Sequence, residues 1–329
     1  MCYNVCMEQI DIYLKSYVHK VILQDIKSEM LNHCYLINSK DEYLLELLVK
    51  FVAKEIFCES EKSPCEQCVS CNKVNHDNMV DLITYPKGDK SLVVDDINEI
   101  VDDCYIRPMD AKYKVYILNR FDECTVQAQN KILKTLEEPP QNVVFILTCT
   151  NIGNVLPTIA SRSKKINEPE LPYEIVEKFL EQKNVSNYKL IASMSDGCLS
   201  IANRLAGNPL SVEIVKLAFD VLKNLNSSQD VLKFSSKIIA LKKDFIFFLD
   251  TIVTILRDIC VFSSNGEVVF KENKSDYEVL SKIYNSKMIV KIVDELSNIP
   301  NKLNFNCNMT AIVDQMLLDI LEVKFLWRE

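Results

Sequence analysis

Glycine is scarce in this chain: there are five in 329 residues, and the first is Gly88. A loop that cradles phosphates needs glycines so that backbone N–H groups can close around the anion, and the first 87 residues cannot supply one. Long apolar runs are also missing. No stretch of about 18 apolar residues occurs, so no membrane span is expected. The most apolar segment, Phe245–Phe262, is interrupted by Asp250, Arg257 and Asp258 and reads as a buried helix. The opening residues, MCYNVCMEQIDIYLKSYVHK, lack the apolar core of an export signal. An excess of positive charge is absent as well. Lys and Arg total 38 against 46 Asp and Glu, a net charge of −8, which argues against a broad non-specific grip on nucleic acid.

The composition that remains, 48% hydrophobic and 26% charged, is that of a folded chain, and 329 residues suggest two or three domains. Thirteen cysteines without an export signal are expected to be reduced thiols in a cytoplasmic protein. Cys34–Asn38, Leu82–Tyr85, Val115–Leu118 and Val143–Leu147 are short apolar runs suited to buried strands. Helical spacing precedes the first, over Asp11–His33, and falls between the rest, over Tyr43–Phe57, Val94–Ile106 and Thr125–Glu138. Pro139 and Pro140 stop the last of these. This alternation predicts an α/β domain with a mostly parallel sheet, over residues 1–168. Three short helices, Pro172–Leu180, Asn187–Met194 and Leu199–Leu205, suggest a small helical domain over residues 169–208. Long helical periodicities suggest an all-helical domain over 209–329.

Four cysteines stand together: Cys58, Cys65, Cys68 and Cys71, spaced C-x6-C-x2-C-x2-C. Four thiolates favour a closed tetrahedral zinc site with no open position for water, hence a structural metal. An iron–sulfur cluster or a redox pair are the alternatives, and nothing else in the chain suggests electron transfer. His76 nearby reads as a surface or packed residue. The acidic group Asp95, Asp96, Glu99, Asp102 and Asp103 reads as a solvated helix face, with its first turn favoured by the helix dipole. No specific chemistry is assigned to Glu137 and Glu138.

The runs QAQNKILKTLEEPP (Gln127–Pro140), VVFILTCTN (Val143–Asn151) and LPTIASRS (Leu156–Ser163) resemble, in order and separation, the bacterial DNA polymerase III clamp-loader subunits of the AAA+ superfamily, the delta-prime type above all. The likeness is strong from about Asp81 to Ile166 and fair over Val18–Cys71. It continues in the helical part through RDI (Arg257–Ile259) and LNFNCN (Leu303–Asn308). It implies an AAA+ parallel-sheet core with an inserted zinc module at 58–71, a three-helix lid and a helical collar that holds a five-subunit ring. The departures are informative. NSKDEYLL (Asn38–Leu45) stands where active members carry the Gly-rich Lys-Ser/Thr loop, and Asp41 and Glu42 would repel phosphate. Asn119-Arg120 replaces the Asp-Glu that serves magnesium and water, and an arginine cannot act as a base. Ser200 stands at the lid arginine that senses nucleotide. Thr150 aligns with the γ-phosphate sensor and is expected to cap the end of its strand instead.

One active part is retained. Ser161-Arg162 matches the motif that inserts an arginine into a neighbour's ATP site, with Ser163 in place of the usual cysteine. Position alone would make Arg162 a surface cation; the motif makes it an arginine finger acting in trans. The resemblance thus implies a non-hydrolysing subunit with structural zinc and no ATP in its own site. The implied partners are gamma/tau-like ATPase subunits and a delta-like subunit, and, through the complex, the sliding clamp and primer-template DNA. The alternatives are an active gamma/tau-like motor, against which the missing loop weighs, and a stand-alone zinc-dependent nucleic-acid binder, against which the acidic charge weighs.

Overall fold

A computed structural model describes residues 2–88, 91–208, 211–266, 268–299 and 308–326. The run LNFNCN lies outside these apart from Asn308. The chain divides into two compact units. The first holds the residues up to Phe179 together with Gly197–Ser200; the second holds Leu180–Asp196 and the residues from Ile201 onward. The interval 169–208 is therefore shared between them.

In the first unit, α1 (Cys2–Lys15) and α2 (Tyr17–Lys27) precede β1 (Cys34–Asn38). The break between the two helices falls at Ser16, whose side chain accepts from the His19 amide and caps α2. Then follow α3 (Glu42–Phe57), α4 (Val69–Asn75), β2 (Leu82–Tyr85), α5 (Val94–Asp103), β3 (Lys114–Leu118), α6 (Val126–Glu137), β4 (Val143–Cys149), α7 (Pro157–Arg162) and β5 (Lys164–Asn167). All pairings are parallel, in the order β2-β3-β4-β1-β5. Every residue of β3 and β4 is buried, as expected of central strands covered on both faces. Side chains alternate across the sheet. Cys34, Leu36, Tyr116, Leu118, Phe145 and Leu147 share a core with Ile97 and Ile100 of α5, Ile132 of α6 and Ile159 of α7. Tyr35, on the opposite side of β1, donates its hydroxyl to Asp25 of α2 at 2.8 Å.

The four strands read from sequence are present, β3 and β4 being longer by one and two residues. β5 and α7 were not foreseen. β5 is four residues long and buries Ile166 alone, so it carries no hydrophobic signal of its own. It exists because β1 offers it a ladder, with Leu36 opposite Lys165. Within the stretch 58–71, α4 begins at Val69 with Cys68 as its N-cap.

The remaining helices are α8 (Tyr173–Gln182), α9 (Tyr188–Met194), α10 (Leu199–Ala206), α11 (Ser211–Asn224), α12 (Ser228–Ile239), α13 (Phe245–Ser263), α14 (Lys274–Ile283), α15 (Ser286–Ser297) and α16 (Met309–Leu326). In the second unit α13 is the buried helix that its composition predicts, with Phe245, Phe248, Ile252, Leu256 and Ile259 in one core with Leu317 and Ile320 of α16. Asp258, from the run RDI, is buried and accepts from the amides of Val269 and Phe270 and from the Tyr277 hydroxyl, which pins the segment after α13. Among the described residues no helix is long and apolar enough to cross a membrane.

Candidate functional site

The C-terminal ends of parallel strands are where α/β proteins bind ligands, and here that edge is filled by the chain's own carboxylates. β1 ends at Asn38. Lys40 turns outward to an exposed pair with Glu170 at 3.2 Å. Asp41 is buried, at 3% exposure, and is the N-cap of α3. Its Oδ1 accepts from the Leu44 amide at 3.2 Å, from the Ser200 amide at 3.1 Å and from the Ser200 hydroxyl at 2.6 Å. Its Oδ2 accepts from the Leu199 amide. One carboxylate thus satisfies the N-termini of two helices, α3 and α10, where unpaired amides and the helix dipole favour an anion. Ser200 and Asp41, which the resemblance puts at the lid and phosphate-loop positions, are bonded directly to each other. The Asp-Glu start before an apolar run is an N-cap signal that was available in the sequence; its partner 159 residues away was not.

A second helix start on this edge is treated alike. Glu168, just past β5, is buried and accepts from the Tyr17 and Val18 amides at 3.1 and 2.9 Å. Burial raises its pKa, and the two amides oppose that shift. At the end of β3, Arg120 adopts a left-handed backbone, φ 51°, and its guanidinium lies 3.7 Å from Glu42. The Arg120 amide donates to Thr148 at 3.1 Å. Thr150 donates both its amide and its hydroxyl to Asp122 at 3.1 Å, and the Asn151 amide joins them at 2.8 Å. Thr150 accordingly fastens the end of β4, as its sequence reading expects.

The motif residues Ser161 and Arg162 close the six-residue helix α7. The Ser161 hydroxyl donates to the Thr158 carbonyl at 3.0 Å. Arg162 donates through Nη1 to the same carbonyl at 2.9 Å and through Nη2 to Glu137 Oε1 at 2.7 Å. Its side chain is 36% exposed. Ser163, in the family's cysteine position, donates to the Ile159 carbonyl at 2.9 Å and lies 3.1 Å from the Cys34 thiol. Glu137, given no chemistry on sequence grounds, is therefore the ion-pair partner of Arg162.

The four motif cysteines come together, their Sγ atoms all within 4.8 Å of one another. Among the described residues no other group of three or more histidines, cysteines and carboxylates gathers in this way. Four thiolates at about 2.3 Å from one ion would lie about 3.8 Å apart; Cys58 and Cys68 are at 3.9 Å. The Cys68 amide donates to Cys65 Sγ at 3.3 Å and the Cys71 amide to Cys68 Sγ at 3.4 Å, contacts that favour thiolate. The Gln67 amide is the main cause that draws the Cys65 thiol down to about 6, while burial raises the thiols of Cys68 and Cys71. The donor set fits a closed metal centre. Glu66 holds the loop in a left-handed turn, φ 58°, a conformation suited to glycine. Its carboxylate meets the buried Lys54 ammonium at 2.7 Å and accepts from the Asn75 side-chain Nδ2 at 3.0 Å. The acidic residues of α5 serve the fold: Asp96 caps Val93, Glu99 accepts from the Tyr85 hydroxyl, and Asp103 pairs with Lys114 at 2.8 Å.

A five-stranded parallel sheet in the order β2-β3-β4-β1-β5, with helices between its strands and further helices after it, defines an α/β protein. Residues 15–171 match the model of the family described as "DNA polymerase III, delta subunit". The gamma subunit of DNA polymerase III from Buchnera aphidicola (subspecies Schizaphis graminum) is 27% identical over 201 residues, 58% of this chain and 55% of that protein. The delta-prime subunit from Bacillus subtilis is 27% identical over 186 residues, 56% of each chain. A gamma subunit-related protein of known structure from Thermotoga maritima covers 93% of this chain and 99% of its own at 20% identity, with a TM-score of 0.46, a likeness too loose to carry weight. The chain spans about half the length of the curated relatives it matches. Together the sequence matches relate the segment 15–171 to the delta and gamma subunits of DNA polymerase III.

Proposed function

We propose that this chain is a non-hydrolysing, delta-prime-like clamp-loader subunit. It supplies Arg162 in trans to the ATP of a neighbouring gamma/tau-like subunit and, within the complex, helps load the sliding clamp onto primer-template DNA. The observation that carries this reading is Asp41: the helix start that would face a nucleotide's phosphates is occupied by an internal carboxylate with four protein donors. Arg120 in the position of the activating acid supports the same reading, since a guanidinium cannot take a proton from water.

Arg162 acts by electrostatics. A planar guanidinium with donors directed at the transferring phosphoryl group stabilises the charge that spreads over its oxygens, and a finger in trans is worth roughly a thousandfold or more in rate. Two of its five N–H groups are engaged within the chain and hold it at the end of α7. Cys58, Cys65, Cys68 and Cys71 would hold zinc, whose part is to cross-link the loop between α3 and α4. The Arg162→Ala variant leaves assembly with partner subunits intact and lowers ATP hydrolysis at the neighbour's site it serves by roughly a thousandfold or more. Unchanged ATPase and clamp loading in that variant would refute the finger. The gamma/tau-like alternative rests on the gamma and tau relatives. Calorimetry of the isolated chain with Mg-ATP separates the two, tight and hydrolysable binding favouring the motor.

A further inference from the structure

We infer that Glu137 is the positioning residue of Arg162, the group that sets the orientation of its guanidinium before a neighbour's nucleotide arrives. The inference rests on the reading of Arg162 as a finger. Arginine has a long side chain with many rotamers, and a finger left to wander would have to be ordered at the moment of reaction. Here the plane of the guanidinium is held at two points, Nη1 on the Thr158 carbonyl at 2.9 Å and Nη2 on Glu137 at 2.7 Å.

The first hold belongs to α7 itself. The second comes from another helix, and the frame that presents it is stiff. Glu137 is the last residue of α6, which stops there because Pro139 and Pro140 cannot continue the ladder. Gln129, one turn into α6 and 1% exposed, donates to the carbonyls of Cys124 and Asn154 at 3.2 and 3.0 Å and accepts from the Leu156 amide at 2.8 Å. Leu156 is the N-cap of α7. Gln129 therefore fastens the start of α7 to α6, and Glu137 fastens its last residue. The pair contributes little to stability, because both side chains are substantially exposed, 36% and 48%. Its consequence is geometric. Three of the five N–H donors remain to face a partner's phosphate.

The test uses the full chain assembled with its ATPase partner subunits, with steady-state ATPase measured for Glu137→Ala, Glu137→Gln, Arg162→Ala and the Glu137→Ala/Arg162→Ala pair. Glu137→Ala is expected to lower kcat about tenfold with KM for ATP unchanged, since orientation matters in the transition state. Glu137→Gln keeps an acceptor oxygen and is expected to retain at least about half the rate. In the Arg162→Ala background, Glu137→Ala is expected to have no further effect, which a general loss of structure would not reproduce. Wild-type kcat in Glu137→Ala beside an impaired Arg162→Ala would overturn the positioning role alone, as would additive losses in the double variant. Wild-type kcat in Arg162→Ala would overturn the finger reading itself.

Discussion

Replacing Asp41 by alanine tests the internal closure of the sheet edge most directly. The substitution removes the acceptor of four donors: the amides of Leu44, Leu199 and Ser200, and the Ser200 hydroxyl. Loss of an N-cap costs about 1 kcal/mol. Each further buried donor left without a partner costs about 1–3 kcal/mol, with the low end applying where water can enter the space vacated by the carboxylate. At that low end the cap and the three further donors sum to about 4 kcal/mol of local stability. At about 1.4 kcal/mol per factor of ten, amide hydrogen exchange at Leu44, Leu199 and Ser200 should accelerate by about three orders of magnitude. Asp41→Asn retains one carbonyl acceptor and should accelerate the same amides by roughly tenfold. The Phe270 amide, held by Asp258 in the other unit, is the internal control and should not change. Mg-ATP binding should not appear in the alanine variant, because removing one carboxylate does not create a glycine loop. Wild-type exchange at Leu199 and Ser200 in Asp41→Ala would refute the closure.

Two further predictions follow from the buried charges and the thiols. Purified protein should carry about one zinc ion per chain by elemental analysis, and Cys71→Ala should lose it and expose 58–71 to protease; iron, or no metal, would sink the zinc assignment. Glu55 is 1% exposed, beside the Tyr13 hydroxyl and 3.1 Å from His19 Nδ1, and burial lifts its carboxyl from the usual 4.5 to about 8. Between those values the folded chain holds a proton that the unfolded chain has released, so stability falls as pH rises towards 8. His19, lowered by burial, acts in the opposite direction but only below 6.5. Urea midpoints should therefore drop between pH 6.5 and 8, and Glu55→Gln should flatten that slope; an unchanged slope in the variant would exclude Glu55 as its source.

Much of the sheet was legible because central parallel strands must be apolar throughout, as β4 is from Val143 to Cys149. The edge strand β5 was not, since one buried isoleucine leaves no pattern. The gathering of the four cysteines was legible from spacing alone, because C-x2-C places sulfurs on one turn. Glu137 and Ser200 were opaque for a different reason. Their roles lie in contacts with Arg162 and Asp41, 25 and 159 residues away, and no local periodicity encodes such pairs. The proposed loss of the phosphate loop draws support from one contact: Asp41 and Ser200, the residues that the resemblance puts at the loop and lid positions, are bonded to each other.

Glu66 carries a consequence for the history of the cysteine loop. A non-glycine residue in a left-handed turn is strained by roughly 1–2 kcal/mol, so glycine there would relieve the backbone. It would also strip the carboxylate from Lys54, which is 1% exposed, and uncompensated burial of a charge costs about 3–5 kcal/mol. The single step to glycine is thus downhill for the turn and uphill for the protein. Residue 54 must become neutral before position 66 can simplify, and the two sites are expected to change in that order wherever relatives differ at them. A local improvement is blocked by a partner twelve residues back on α3, so the loop's present shape is retained by contingency as much as by fit.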